Sequence, residues 1–408
     1  MSVWVKLREE ELNILGTQKE VTDMRKTLLT VFLIILSIVI SYGIADAISG
    51  VCSNCHTMHN SQNGVSITGG APNAQLLNAG CVACHTAATG KQDTNKGPAV
   101  LHTTSPGAGA TDQGAGKTLA GGDFYWVDAG DDAKGHNVID LPNISAPDGN
   151  MPGTGLTPPG WDPTATSSSF VAGQVAGGEA TWTSQLTCAG QYGCHGDHAV
   201  SGSFPGVQGG HHNNTDGTAT RAGAAAPPTT TGDSYRFLLG IRGLEEVDWN
   251  WAELTTVHNE YYGENNTADR TAGGLASYGN RDTISFLCAE CHGVFHGTID
   301  SAAPSGSPWV RHPTDVLLPN SGEYAEYNND GGGSAGPYSL EAPVARPTVP
   351  ADCTNCATVT PGTDIVMCLS CHRAHGSPVD DLLRWDYTAM IAGGGATNGC
   401  FTCHTEKN

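Results

Sequence analysis

One uninterrupted apolar run stands out in a chain that otherwise shows little long-period hydrophobic patterning. Leu28 to Ile40 is uncharged, follows Arg25 and Lys26, and is succeeded by Ala45-Asp46-Ala47. A basic start, a short apolar stretch and an Ala-x-Ala site are the parts of a secretory signal, so residues 1–47 are read as an N-terminal extension and signal peptide. Residues 1–23, with Glu9-Glu10-Glu11, make an unusual opening, and Met24 would begin an ordinary signal. The run is short of the roughly 20 residues a spanning helix prefers; the alternative is an uncleaved single anchor. Either way the membrane is met only through this segment. The expected destination is the periplasm, the outer cell surface or the extracellular space, reached by the Sec route.

Beyond the signal, rough apolar faces predict short helices at Leu244–Leu254 and at Asp380–Ile391, where Leu382, Leu383, Trp385 and Met390 recur at helical spacing. Residues 143–178 and 201–233 read as irregular loops, since Pro152, Pro158, Pro159, Pro227 and Pro228 bar helices there. Asp128–Asp132 and Asn328–Gly333 are acidic or glycine-rich but lack a calcium-loop signature, and are read as solvated turns.

Composition sharpens this picture. From Ile48 onward, Leu, Ile, Val and Phe together make up about 15% of the residues and the net charge is −20. That apolar content lies below the roughly 20% under which a highly charged chain is normally disordered. Such a chain must take apolar surface from something bound. The acidic balance excludes phosphate-tracking nucleic-acid binding as the main task.

Cysteine spacing identifies the bound group. Five times a Cys-x-x-Cys is followed at once by His: Cys52, Cys55, His56; Cys81, Cys84, His85; Cys288, Cys291, His292; Cys368, Cys371, His372; Cys400, Cys403, His404. Two thiols three residues apart can add to the two vinyl groups of one haem, and the adjacent His lies under the iron as proximal ligand. Paired Cys-x-x-Cys knuckles can also hold zinc, but a zinc ribbon does not require His directly after every second Cys. The cofactor expected is therefore haem c.

A sixth, enlarged site is read at Cys188 and Cys194, with His195 following and Gly190 and Gly193 in the loop between the sulfurs. The glycines would let that loop bring both thiols to one haem; the alternative is a Cys188–Cys194 disulfide. Six haems are expected, and at least five. Cys353 and Cys356 are followed by Ala357 instead of His. A local disulfide is the default there, with a degenerate haem site or a redox dithiol as alternatives.

With six His assigned as proximal, ten remain, against four Met after the signal, so His is the expected sixth ligand. His/His ligation lowers the potential relative to His/Met and closes the iron to substrate. A short turn cannot place ligands on both faces of one porphyrin. His59, His198, His296 and His375, each three or four residues after a proximal His, would have to reach a neighbouring haem. The candidates chosen are His59, His136, His212, His296, His312 and His375, with His102 and His258 in reserve.

The motif spacing divides the remainder into an N-terminal di-haem segment, 48–105; a loop-rich segment with the enlarged site, 106–235; a single-haem segment, 236–345; and a C-terminal di-haem segment, 346–408. The expected fold is a multihaem cytochrome c, mostly irregular loops with a few short helices wrapped around a chain of covalent haems.

The segments Cys52-Ser53-Asn54-Cys55-His56-Thr57-Met58-His59-Asn60, Gly135-His136-Asn137-Val138 and Cys368-Leu369-Ser370-Cys371-His372-Arg373-Ala374-His375-Gly376-Ser377-Pro378 resemble the doubled-CxxCH multihaem c-type cytochromes of metal-respiring bacteria. The resemblance implies an exported electron-transfer protein with bis-His haems. Some similar hexahaem proteins polymerise into conductive extracellular filaments, so self-assembly joins other redox proteins and extracellular electron acceptors as expected partners. Two function classes remain. One is an electron carrier with every iron six-coordinate and no catalytic residues. The other is a multihaem reductase with one open iron; such enzymes often carry Cys-x-x-Cys-Lys, which does not occur here.

Overall fold

Short chain reversals dominate the architecture, as the glycine content and scarce periodicity require. In the computed structural model the described residues are 24–27, 51–67, 69–72, 74, 76–78, 80–89, 97–106, 118–144, 156–163, 181–212, 226–245, 254–265, 280–296, 314–328, 336–351, 353 and 356–407. The expected signal run lies outside them, except that residues 24–27 are helical. Among the described residues no helix is long and apolar enough to cross a membrane. Residues Ala47–Asn408 form one compact unit.

The longest described helix is Ile284–His292. Thr283 caps it, its side-chain oxygen accepting from the Phe286 N–H at 3.0 Å, which satisfies one of the helix's orphan donors. This helix carries a whole Cys-x-x-Cys-His motif and buries Phe286 and Ala289 against Trp161 and Trp182.

A five-stranded sheet, with strands of only two or three residues, gathers distant parts of the chain. Its order is Gly243–Leu244, Glu260–Tyr262, Ala345–Arg346, Ile365–Val366, Val316–Leu317. Side chains alternate across it as a pleat requires. Tyr261, Ala345 and Ile365 join one cluster with Ile241, Ile284 and Met367; Val344 and Val366 join another with Leu318, Tyr327 and Tyr338. Fully burying a residue such as Ile241 contributes about 2 kcal/mol. Arg346 links strands electrostatically, donating to Glu260 Oε2 at 2.9 Å and Asp364 Oδ2 at 2.5 Å.

Both helix expectations fail where they can be checked. Leu244 ends a strand, fully buried beside Tyr262, Val349 and Cys353 and paired opposite Glu260; residues 246–253 lie outside the described residues. Asp380–Ile391 breaks into 3₁₀ turns at Asp380–Leu382 and Tyr387–Ala389, because Asp381 and Leu382 are left-handed at φ 61° and 58°. That reversal sends Arg384 inward. Its guanidinium donates to the carbonyls of Leu369, His372, Leu340 and Ala120, pinning the Cys368–His372 turn.

The expected turn at Asp128 holds itself by hydrogen bonds: its carboxylate accepts from Asn143 N at 2.9 Å and Asn143 Nδ2 at 2.8 Å. Of Asn328–Gly333 only Asn328 is described, left-handed at φ 58°.

Candidate haem-binding sites

In the regular motifs the two cysteines and the histidine occupy about one helical turn. The His N–H donates to the first Cys carbonyl in His56–Cys52 (2.8 Å), His85–Cys81 (3.1 Å), His372–Cys368 (3.1 Å) and His404–Cys400 (3.0 Å). Both sulfurs and the ring therefore project from one short turn. The enlarged motif reaches its arrangement differently. Thr187–Ala189 and Gly193–His195 lie side by side as two short strands, closed by Gly193 N–H to Gly190 O at 2.9 Å. Gly190 is left-handed at φ 81°, and a Cβ on Gly193 would collide with the Ala189 backbone. Cys188 and Cys194 are both free thiols, so the local disulfide is not formed. Cys353 and Cys356 are bridged.

The histidines that close the six motifs share a hydrogen-bonding pattern. Nδ1 donates to Leu76 O in His56 (3.2 Å), Pro98 O in His85 (3.0 Å), Arg236 O in His195 (2.8 Å), Pro159 O in His292 (2.6 Å) and Asp381 O in His372 (2.8 Å). In His404 it meets Glu323 Oε1 at 3.2 Å. A proton fixed on Nδ1 leaves the Nε2 lone pair for a metal and sets the ring plane. The site at His195 thus matches the five regular ones in the atom that it leaves available.

Four of these rings face a second imidazole: His56 faces His212 with centroids 5.8 Å apart, His85 faces His211 at 6.1 Å, His292 faces His136 at 6.2 Å and His195 faces His375 at 6.4 Å. A metal–imidazole bond is about 2 Å and each centroid lies about 1 Å behind Nε2, so two imidazoles on opposite sides of one iron would sit about 6 Å apart. The residues fit the group. His136 also fixes its Nδ1, on Ala374 O at 2.6 Å.

Loss of water, with the charges of neighbouring imidazoles adding to it, pushes His211 down to about 4 and His375 to about 3. Loss of water likewise brings His195 to about 4 against the opposing Arg236 carbonyl. These rings are neutral at ordinary pH, as a ligand must be.

His211 is the residue that the sequence reading passed over. The signal was the His211-His212 doublet, because adjacent side chains diverge and can serve two sites. Two other spare histidines are committed elsewhere. His198 uses Nε2 on Cys194 O and Nδ1 on buried Glu290; His258 uses Nδ1 on Asn259 O and Nε2 on Cys356 O while stacking on Tyr338. His102 is buried with Nδ1 2.5 Å from Asp123 Oδ2. His59 is exposed on a left-handed turn, φ 56°, anchored by buried Asn60. His312 and the His296 side chain lie outside the described residues, although His296 closes the turn Gly293–His296.

The sulfurs run from motif to motif in chain order. Cys84 Sγ is 3.8 Å from Cys55 Sγ. Cys81 and Cys188 share a hydrogen bond that lowers the first thiol and raises the second. Cys288 shares a hydrogen bond with Cys368, and the charge of Cys194 raises the Cys291 thiol as that of Cys400 raises Cys371. Among the described residues, no motif cysteines gather with other donors in the manner of a zinc knuckle; the one group of three that comes together is His258, Glu260 and Cys353, and there Cys353 is held in a disulfide.

Several known proteins are similar to this chain. Residues 361–408 match the doubled CXXCH motif family. The chain is 27% identical over 395 residues to the C-type cytochrome OmcS of Geobacter sulfurreducens, covering 82% of this chain and 78% of the relative. Two solved structures are similar. OmcS nanowires show 23% identity and a TM-score of 0.44, covering 84% of each chain. An outer membrane cytochrome S filament from the same organism shows 21% identity and a TM-score of 0.38, covering 86% of this chain and 85% of the other. In its Cys-x-x-Cys-His turns and along most of its length the chain is thus similar to a multihaem c-type cytochrome, and its last 48 residues carry the doubled CXXCH motif.

Proposed function

We propose that this protein is an exported electron conduit holding six bis-His c-type haems in chain order, and that it assembles head to tail. Haem supplies reversible one-electron iron chemistry. The chain's own residues do the rest. Cys52 and Cys55, Cys81 and Cys84, Cys188 and Cys194, Cys288 and Cys291, Cys368 and Cys371, and Cys400 and Cys403 would each hold one haem. His56, His85, His195, His292, His372 and His404 would be the proximal ligands. His212, His211, His375 and His136 would take the opposite positions of the first four, in that order. His59, His296 and His312 remain as candidates for the other two.

The carrying observation is the set of four imidazole pairs at 5.8 to 6.4 Å. The motif-to-motif sulfur contacts support close succession of the haems, which rapid electron hopping needs. Each pair also draws its rings from different parts of the chain, so folding and cofactor placement are one process. The segments 48–105, 106–235, 236–345 and 346–408 are proposed as successive haem-bearing stretches of one body. Export to the periplasm or cell surface agrees with covalent attachment, and the relative's filament structures favour self-assembly over a reductase.

A pyridine haemochrome assay with intact mass tests the count: six haems are expected, and fewer than five overturn the reading. Carbon monoxide tests the mechanism. Low-spin spectra with little binding are expected, whereas a large high-spin fraction that binds it quickly would move the protein to the reductase class.

A further inference from the structure

Cys353 and Cys356 lie outside the six proposed haem attachments, and the side chains around them form a site of their own. Cys353 is fully buried, Cys356 is half-buried, and the two are bridged. On the buried side, Glu260 Oε1 stands 3.9 Å from Cys353 Sγ. His258 Nδ1 is 3.8 Å from the same oxygen, and its Nε2 is 3.0 Å from Cys356 O. From the adjoining strand Arg346 donates to Glu260 Oε2 at 2.9 Å, and it joins Asp364 at 2.5 Å. In the sheet Glu260 pairs opposite Leu244, and the strand Ala345–Arg346 flanks its other side. The groups bearing on this carboxyl are thus His258, Arg346, Asp364 and Cys353.

We propose that Cys353–Cys356 is a thiol–disulfide exchange site, opened by an external dithiol that attacks Cys356 Sγ while the Glu260 carboxyl group protonates the departing Cys353 sulfur. The attacking thiolate forms a bond to Cys356 as the Cys353–Cys356 bond breaks, and that electron pair stays on Cys353 with the proton from Glu260. The attacker's second thiol then displaces Cys356, which leaves as a thiol once protonated from solvent. One dithiol becomes a disulfide and one disulfide becomes two thiols; the solvent returns a proton to Glu260.

Attack falls on Cys356 because Cys353 is out of reach. A bare thiolate left in a dry site is costly, and a better-stabilised leaving thiol departs faster. Burial raises the Glu260 carboxyl to about 7 against the opposing pull of Arg346, whose guanidinium donates to both of its oxygens at 2.9 and 3.3 Å, so falling pH favours the protonated carboxyl. The substrate class is a dithiol, free or carried on an oxidoreductase. The proposal is independent of the conduit reading, since sulfurs bound to haem as thioethers neither exchange nor alkylate.

The test uses the oxidised holoprotein exposed to dithiothreitol below and above neutrality, quenched with maleimide and mapped by peptide mass. Native protein should label at Cys353 and Cys356. Glu260→Gln should slow this about tenfold or more below neutrality, with the difference shrinking above it. Asp364→Asn, which removes the other partner of Arg346, should keep a pH-dependent profile. Where Glu260→Gln fails to assemble, Glu260→Asp retracts the carboxyl from the sulfur and should show the same slowing. Labelling only after denaturation, or a variant profile parallel to that of the native protein, overturns the proposal. Label on other motif cysteines would count against the six-haem reading and leave this one standing.

Discussion

His211 and His212 are adjacent in the chain yet lie beside different motif histidines, His85 and His56, with ring centroids 6.1 and 5.8 Å apart. One peptide unit separates them, so the two sites they serve must be close neighbours. The 3.8 Å contact between Cys55 and Cys84 shows the same closeness from the attachment side. Two haems held there as proposed would be clamped by one dipeptide and would have little freedom to change their separation, which would suit electron hopping.

Single substitutions should therefore separate two otherwise similar haems. His211→Ala and His212→Ala are each expected to convert one haem of the proposed six to a high-spin form that binds carbon monoxide, without losing covalent haem. His211→Met should restore a low-spin site at a higher potential, because thioether ligation raises it. Electron paramagnetic resonance with a redox titration checks both; a low-spin spectrum unchanged in the alanine variants would remove the assignment.

The enlarged motif gives a sharper test of attachment. Cys188→Ala should lower the intact mass by one haem or leave that haem held by a single thioether. Gly193→Val should act on the same haem, because a side chain there meets the Ala189 backbone. Full haem content in both variants would show that this loop does not hold a cofactor.

Acid should act through the imidazoles. His195 and His211 are pushed down to about 4 and His375 to about 3, below the 6.5 of a free imidazole. The unfolded chain therefore binds more protons than the folded one, and stability rises with pH across this window. The contribution is complete above about pH 6.5 and is lost progressively as pH falls toward 3 to 4. Ligation has the same sign, since iron takes the neutral ring. Denaturant midpoints measured from pH 7 down to pH 4 should fall steadily; a flat profile would contradict the neutral-ring arrangement.

Much of the chemistry was legible in the chain, because covalent attachment needs fixed residue types at fixed spacing. Cys52-x-x-Cys55-His56 announces itself without any fold. The opposing ligands do not, since His198, His258 and His211 look alike in sequence. Only folding commits His198 to Glu290 and His258 to the Cys356 carbonyl while it leaves His211 over His85. The sheet was hidden too. Strands of two residues, such as Ala345–Arg346 and Ile365–Val366, are too short to show an alternating pattern. In Asp380–Ile391 the apolar spacing was present, but left-handed Asp381 and Leu382 redirected it.

Assembly sets like charge against contact. The net charge of −20 from Ile48 onward repels neighbouring subunits, with a range cut to about 8 Å at physiological salt. Against this, the N-terminal segment exposes Val51, Met58 and Val65, and the C-terminal segment exposes Tyr387 and Ile391. A subunit contact that covered these side chains would take their apolar surface out of water. A head-to-tail contact between two different patches repeats as an open filament unless its rotation closes a ring. In the proposed assembly the exposed His59 would cap an iron of the next subunit, and a coordination bond would outweigh screened repulsion. Filaments are therefore expected in electron micrographs of material sheared from cells, more abundant at physiological than at low salt. His59→Ala should leave a fully loaded monomer that no longer polymerises. Monodisperse monomers of the native protein at both salt concentrations, with every haem six-coordinate from its own chain, would refute assembly and leave a monomeric carrier.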